Sequence, residues 1–229
     1  MNCWICGASA NSGEHMIKAS DLKSLFRHVD QRSPLYLHTG LRRNLAVPGI
    51  KSSLLKHQAR LCSRCNNERT QPHDRAWSTL SQYLQTRRPP IRPGMRVRLG
   101  DIFPGKVSQS MLAVHLYFLK LFGCIATDRC IPLPISEFAS AIRDGNPHPN
   151  IWISVGTSSQ RQEIKQAGCT EIQTAMRNGR IAFAIWTYYV GNVDINIMFA
   201  LPGEDRSGLV DAWNPVRANK VLIIAKARY

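Results

Sequence analysis

The chain has 229 residues, of which 44% are hydrophobic, and it carries 30 Lys and Arg against 15 Asp and Glu. That apolar share is ordinary for a globular protein and excludes extensive disorder. A net charge of +15 favours polyanionic partners, most often phosphate backbones, over membrane surfaces.

The excess positive charge lies in the first part of the chain. Residues 1–100 hold 17 Lys and Arg against 5 Asp and Glu, a net of +12, whereas residues 101–229 have a net of +3. Thirteen of those 17 cations are Arg, whose planar guanidinium can bind phosphate oxygens in pairs. We therefore expect a polyanion to bind the first part of the chain.

Two Cys-x-x-Cys pairs, Cys3 with Cys6 and Cys62 with Cys65, fall within this basic part. Two such pairs supply the four thiolates of a tetrahedral structural zinc site. No export signal precedes Cys3, so we expect a cytoplasmic protein in which disulfides are disfavoured. Residues 7–61 separate the pairs by far more than the 15–20 residues or so of a zinc ribbon, which predicts that the zinc holds a larger unit together.

The elements predicted for the first part end at a proline-rich segment. Residues 1–15 indicate a knuckle and a short hairpin, and Ser20 and Asp21 are candidate N-caps of a helix that reaches about Asp30. Residues 33–60 are typical of an irregular loop with strand pieces, and a second helix starts near Asn66. The three prolines within residues 89–95 predict a linker between domains 1–88 and 96–229.

The second part predicts helices followed by strands. A buried helix of about 107–123 comes first, because the apolar run 111–126 is shorter than the roughly 18 residues of a membrane span. A shorter helix and four strands follow, at 134–143, 151–155, 181–190, 193–200 and 221–225. Gly191 and Asn192 are a two-residue hairpin link, so we predict an α+β domain with a mainly antiparallel sheet.

The first Cys pair is followed by Gly13-Glu14-His15-Met16-Ile17, and the second Cys pair is followed by Asn66-Asn67, which open a helix. Through these motifs the chain resembles the HNH nucleases over about residues 1–85. The resemblance implies an N-terminal ββα-metal fold, a hairpin against a helix that holds one catalytic divalent ion, with a separate four-cysteine zinc. It also implies metal-dependent hydrolysis of phosphodiester bonds, usually in DNA.

Residue types in the motif suit that reaction. A nuclease needs a base that activates water and a cation that neutralises developing charge, and a neutral His15 is a candidate base. Glu14 and, by the resemblance, Asn66 are oxygen ligands for Mg²⁺ or Mn²⁺. Asp74 is a further candidate for a hard ion, whereas His73 would suit nickel or zinc, or a phosphate contact.

Two positions differ from the usual motif. Lys18 stands where many relatives have Pro, and it is a candidate phosphate contact. His57 stands where many have an Asn that orients the base, so His57 either takes that role or binds substrate, with Asn44 as another candidate. Phosphate contacts are predicted from sequence proximity to the motif, at Lys18, Arg42, Arg43, Arg60, Arg64, Arg69 and Arg75.

The sequence leaves three functions open. The first is an endonuclease acting on double-stranded DNA, in which the second domain mediates sequence preference, homodimer formation or control by a regulatory partner. The second is a zinc-containing module that binds nucleic acid without cutting it, although such a binder needs neither Glu14-His15 nor Asn66. The third is a toxin or defence effector, which differs from the first in context more than in chemistry.

Overall fold

A computed structural model describes residues 1–158, 165–205, 209, 211–216 and 220–226, apart from the side chains of Ala59 and Arg60. Its first part contains four short strands, a π-helical turn and two helices. In chain order these are β1 (Ser12–His15), α1 (Ala19–Phe26), β2 (Leu35–Leu37), β3 (Leu45–Val47), β4 (Lys56–Leu61), the π-helical turn (Arg64–Arg69) and α2 (Gln71–Thr86).

The second part contains two helices and a seven-stranded sheet. Its elements are β5 (Arg96–Arg98), α3 (Val107–Asp128), α4 (Ile135–Asp144), β6 (Ile151–Thr157), β7 (Ala167–Cys169), β8 (Gln173–Arg177), β9 (Arg180–Val190), β10 (Val193–Ala200) and β11 (Val221–Lys226). The strand order is β5-β11-β6-β10-β9-β7, with β8 also paired to β9. The pairing of β11 with β6 is parallel and the other pairings are antiparallel. The predicted mixed α+β class with an antiparallel-rich sheet is confirmed.

Strands β1 and β4 form a separate antiparallel pair next to the cysteines. Gly13 lies opposite Arg60 and His15 opposite Lys56, so the register shifts between the two positions of β1. An irregularity of this kind bends the strand and redirects its side chains. The π-helical turn contacts β1, and α3 packs against β4. Thus an element of the second part supports the strand pair that carries His15.

The two parts of the chain share one apolar core centred on α3. Trp77 of α2 stacks on Tyr117 at 6.0 Å between ring centroids and meets Phe118 edge-on at 4.7 Å. Tyr188 of β9 lies edge-on to Trp77 at 5.8 Å. Helix α3 has the length and hydropathy of a membrane span, but 78% of its apolar window is buried inside the protein. The predicted buried core helix is confirmed, and it extends five residues further than predicted, to Asp128.

Several local predictions need correction. Helix α1 ends at Phe26 and not near Asp30. Its N-cap position is occupied by Lys18. Asp21 does not cap the helix, because its side chain is buried and accepts a hydrogen bond from Trp77. Strands β5, β7 and β8 were not predicted, since each is short and lacks a clear apolar alternation. The β9–β10 hairpin around Gly191 and Asn192 is confirmed.

The proline-rich segment lies against the large sheet. Gly94 N donates to Ile224 O at 2.8 Å, and Ile224 N donates to Met95 O at 2.9 Å. The division into domains 1–88 and 96–229 stays a prediction, and these bonds tie its linker to β11.

Candidate functional site

The four cysteines of the two pairs lie together at the start of the chain. One sulfur from each lies within 4.8 Å of the others, and Cys3, Cys62 and Cys65 are buried while Cys6 is exposed. The Sγ atoms of Cys6 and Cys62 are 3.5 Å apart, close to the ~3.8 Å edge of a tetrahedron with zinc–sulfur bonds of ~2.3 Å. This cluster could hold a metal ion such as zinc, and its donor set fits one.

Charge and hydrogen bonding also suit a metal at the cysteines. A backbone hydrogen bond from Ala8 is the main cause that lowers the pKa of Cys6 to about 7, whereas burial raises the pKa of Cys65. A buried thiolate at Cys65 therefore needs a cation beside it. Cys65 N donates to Cys62 Sγ at 3.4 Å, and Arg69 Nη1 donates to Cys65 Sγ at 3.3 Å. Arg69, predicted to contact phosphate, thus faces the cluster.

The first cysteine knuckle is docked on helices of the second part. The Trp4 indole donates to Cys124 Sγ at 3.4 Å and lies against Gly123 of α3, where a β-carbon would overlap its ring. Arg143 of α4 donates to Ile5 O at 2.6 Å. These contacts make the cysteine cluster part of the shared core rather than an appendage.

His15 lies at the end of β1, half-buried and held by a backbone carbonyl. Its Nε2 is 3.1 Å from Ile50 O, and because a carbonyl only accepts, Nε2 carries the proton of this bond. In the neutral ring Nδ1 is then the acceptor. Burial is the main cause that lowers the pKa of His15, although the Ile50 carbonyl and Glu14 oppose it. A neutral imidazole with a free lone pair is what a general base requires.

Glu14 faces the other way, into a buried cluster built around Lys120 of α3. The Lys120 ammonium donates to Glu14 Oε2 at 3.1 Å, to Thr70 Oγ1 at 3.2 Å and to Asp74 Oδ2 at 3.3 Å. Lys120 has no exposed surface, and Glu14 is 8% exposed. Burial by itself lowers the pKa of Lys120, but the carboxylates of Glu14 and Asp74 outweigh it and raise that pKa.

Lys18 completes this cluster from the solvent side. Its ammonium donates to Asp74 Oδ1 at 2.8 Å, so the two oxygens of Asp74 bind two different lysines. Both ammonium groups lie over the Tyr117 ring, at 5.5 Å for Lys18 and 5.6 Å for Lys120. The Lys18 side chain keeps 17% of its surface exposed, and it is therefore the lysine of this pair that a substrate can approach.

The catalytic divalent ion of the HNH resemblance does not fit this arrangement of donors. The proposed ligands Glu14 and Asp74 converge on the Lys120 ammonium, and Lys18 supplies the second positive charge that balances them. His73 is buried and lies near the same ammonium, and burial, followed by the Lys120 charge, lowers its pKa to about 4. A second cation between the two carboxylates would meet Lys120 at contact distance.

Asn66 and His57 have partners other than those predicted. Asn66 Nδ2 donates to Ser12 Oγ at 2.9 Å, and its Oδ1 is buried without a hydrogen-bond partner among the described residues. His57 Nδ1 is 3.0 Å from Asp128 Oδ2, at the end of α3. The His15 ring is thus hydrogen-bonded to Ile50, and His57 is hydrogen-bonded to Asp128.

The predicted phosphate contacts are spread over three places. Arg42 and Arg43 are exposed at the tip of the β2–β3 hairpin, where Asn44 is also exposed, and Arg64 and Arg75 are exposed beside and within α2. Arg60 lies opposite Gly13 in β4, and its side chain is outside the described part. Of the predicted phosphate contacts, all except Arg69 remain candidates for contact with a polyanion.

Three residues of the site were not predicted. Lys56 lies opposite His15 in the strand pair, and Lys120 and Asp128 come from α3. One signal for Lys120 was present in the sequence, because it interrupts the most apolar run of the chain. A lysine in such a run has to find buried carboxylates.

Comparison of the chain with protein-family models, with curated proteins and with solved structures gave no match. Fold and site together define a mixed α+β protein with a four-cysteine candidate metal centre, a half-buried histidine at the end of β1, and a lysine–carboxylate cluster around the buried Lys120.

Proposed function

We propose that this protein is a zinc-stabilised endonuclease of the HNH type that hydrolyses phosphodiester bonds of DNA, with His15 as general base. The observation that carries the proposal is the bond between His15 Nε2 and Ile50 O, which leaves Nδ1 of a neutral ring as the proton acceptor. The chain order of β1, β4 and a helix after the second cysteine pair supports it, as does the basic first part.

In this reaction His15 Nδ1 takes a proton from water while the oxygen attacks phosphorus. A P–O bond to the departing sugar oxygen breaks, that oxygen takes up a proton from a solvent water, and the His15 imidazolium then returns its proton to solvent. Charge on the phosphate would be met by Lys18 and Lys56, whose ammonium groups lie near enough to the imidazole to lower its pKa. Exposed Arg42, Arg43, Arg64 and Arg75 would hold the duplex by its backbone.

A catalytic Mg²⁺ or Mn²⁺, or nickel or zinc in its place, belongs to the HNH resemblance. Lys120 fills the space between Glu14 and Asp74, so we derive no step through such an ion. The zinc at the four cysteines would be structural, since all four thiolates are used and no position is left open for water.

Nicking of supercoiled plasmid by zinc-loaded protein tests the proposal. The nicking rate of His15→Ala should be lower by at least about 100-fold, which is the usual contribution of a general base. Its zinc content and DNA affinity should stay unchanged. His28→Ala is the matched control, because His28 is exposed. Parallel reactions without added divalent ion, and with Mg²⁺ or Mn²⁺, show whether an ion takes part. Equal nicking by His15→Ala and wild type would exclude His15 as the base.

The second candidate is a zinc-containing module that binds nucleic acid without cutting it. The buried Lys120 favours it, because its ammonium bonds to both carboxylates that would hold a catalytic ion, and a binder needs no such ion. Tight, salt-sensitive DNA binding with no nicking under any of the ion conditions would support this candidate. A homodimer, a regulatory partner or a role as a defence or toxin effector is compatible with either candidate.

A further inference from the structure

The cation between Glu14 and Asp74 is supplied by the protein itself. Glu14 comes from β1, Asp74 and Thr70 lie at the start of α2, and Lys120 reaches them from α3. Its three hydrogen-bond partners among the described residues lie 3.1–3.3 Å from Nζ, so the ammonium donates in three directions at once. An ammonium group has three donors, and each of them is used here.

Charge is balanced within this buried cluster. Two carboxylates, Glu14 and Asp74, face two ammonium groups, Lys18 and Lys120. Without Lys120, the carboxylate of Glu14 would be left buried without a cation from the described residues, which is strongly unfavourable. Adding a divalent ion while Lys120 stays in place would leave an excess of positive charge in the same volume.

We infer that Lys120 is the resident cation of this site: from α3 its ammonium holds the Glu14 and Asp74 carboxylates together and keeps a divalent ion from binding between them. The inference does not rest on the proposed nuclease, because it concerns which cation the carboxylates bind. It also assigns a role to the second part of the chain, since the site is incomplete without α3.

Removal of the ammonium should expose two converging carboxylates, the ligand type that Mn²⁺ prefers. The test is titration of zinc-loaded, full-length protein with Mn²⁺, followed by the electron paramagnetic resonance signal of the free ion. Lys120→Met keeps the length of the side chain and removes its charge. We expect it to bind one Mn²⁺ at least about tenfold more tightly than wild type, and to lose this gain when combined with Glu14→Gln.

Lys18→Met is the matched control, because it removes the other lysine bonded to Asp74 and leaves Lys120 in place. It should gain no Glu14-dependent Mn²⁺ binding. Wild type that binds one Mn²⁺, with affinity that falls about tenfold or more in Glu14→Gln, would overturn the inference. A Lys120→Met protein that retains zinc and its circular dichroism spectrum but binds no Mn²⁺ would overturn it as well.

If Lys120→Met fails to fold, the comparison of wild type with Glu14→Gln still tests whether a divalent ion binds at Glu14, since both of these proteins keep the lysine. Absence of Glu14-dependent Mn²⁺ binding in wild type then supports the inference, and its presence contradicts it. Plasmid nicking is not a readout in this experiment, so failure of the proposed nuclease leaves the result unaffected.

Discussion

The phenol of Tyr188 donates a 2.6 Å hydrogen bond to Oδ2 of Asp21, which joins the large sheet to helix α1. The Trp77 indole donates to the same oxygen at 2.8 Å, and the Ser81 hydroxyl donates to Oδ1 at 2.9 Å. Asp21 is 3% exposed. One buried carboxylate therefore connects α1, α2 and β9 across the boundary that the sequence predicts between two domains.

Removing this carboxylate should destabilise the whole protein. Asp21→Ala leaves the donors of Tyr188, Trp77 and Ser81 buried without their acceptor, and we expect the free energy of unfolding to fall by roughly 3 kcal/mol or more. Urea denaturation measures the change. Ser20→Ala, at an exposed position of the same helix, should change it by less than about 0.5 kcal/mol. Equal values for the two variants would show that the Asp21 hydrogen bonds contribute nothing.

Stability linked to Asp21 should depend on pH. Burial is the main cause that raises its pKa above the usual value, despite hydrogen bonds from Tyr188, Trp77 and Ser81. The folded state therefore binds the proton more tightly than the unfolded state, and this contribution is full below the unfolded pKa of about 4. It is lost as pH rises through the folded pKa.

Asp21→Asn cannot titrate, so the stability of wild type relative to Asp21→Asn should decrease as pH rises from about 4. Urea unfolding of both proteins at a series of pH values measures this difference, and effects of pH on the cysteines cancel in it. A difference that stays constant, or that grows with pH, would show that the folded-state pKa of Asp21 is not raised.

Loss of one cysteine ligand should unfold the region around the two pairs. Cys62→Ser removes a thiolate from the four-sulfur cluster, and structural zinc contributes its binding free energy to folding. We expect less than one zinc per chain and a melting temperature lower by roughly 10 °C or more. Cys130→Ser, at an exposed cysteine outside the cluster, should leave both quantities unchanged. Full zinc content in Cys62→Ser would argue against a four-cysteine site.

Gly123 should be required where Trp4 docks on α3. Alanine ordinarily stabilises a helix interior by about 1 kcal/mol relative to glycine. Here the added β-carbon would overlap the Trp4 ring, so Gly123→Ala should instead destabilise the protein by about 1–3 kcal/mol, as overpacking does. In a Trp4→Ala background the same substitution should become neutral or stabilising. A stabilising effect in the wild-type background would show that Trp4 does not contact Gly123.

The exposed tip of the β2–β3 hairpin should contribute to DNA binding. Replacement of Arg42 and Arg43 by Ala removes two candidate phosphate contacts, each worth about 0.9 in the slope of log affinity against log salt. We expect that slope to become shallower by roughly 1–2 in fluorescence anisotropy titrations. Arg96→Ala with Arg98→Ala, two exposed arginines of β5, is the matched control. Identical slopes for the two double variants would locate the DNA elsewhere.

Short-range patterns were sufficient for much of the fold. The paired cysteines predict the cluster that the structure forms, the apolar run 111–126 predicts α3, and the Gly191-Asn192 link predicts the β9–β10 hairpin. The helix and the hairpin depend on residues that are close in sequence. The cysteine cluster is predictable because two Cys-x-x-Cys pairs are typical of a structural zinc site. Edge strands such as β5 and β7 exist because a neighbouring strand offers them hydrogen bonds, which no local pattern encodes.

By itself the sequence singled out His15, Glu14 and Asp74 as candidate site residues in the part of the chain that carries the paired cysteines. Only the tertiary structure decided their partners: Ile50 for His15, Asp128 for His57, and Lys120 for the two carboxylates. Lys120 is 106 residues from Glu14 in the chain. A buried carboxylate requires a cation, but whether a metal ion or a distant lysine supplies it depends on how α3 packs against β4 and α2, and that packing is set by the core as a whole.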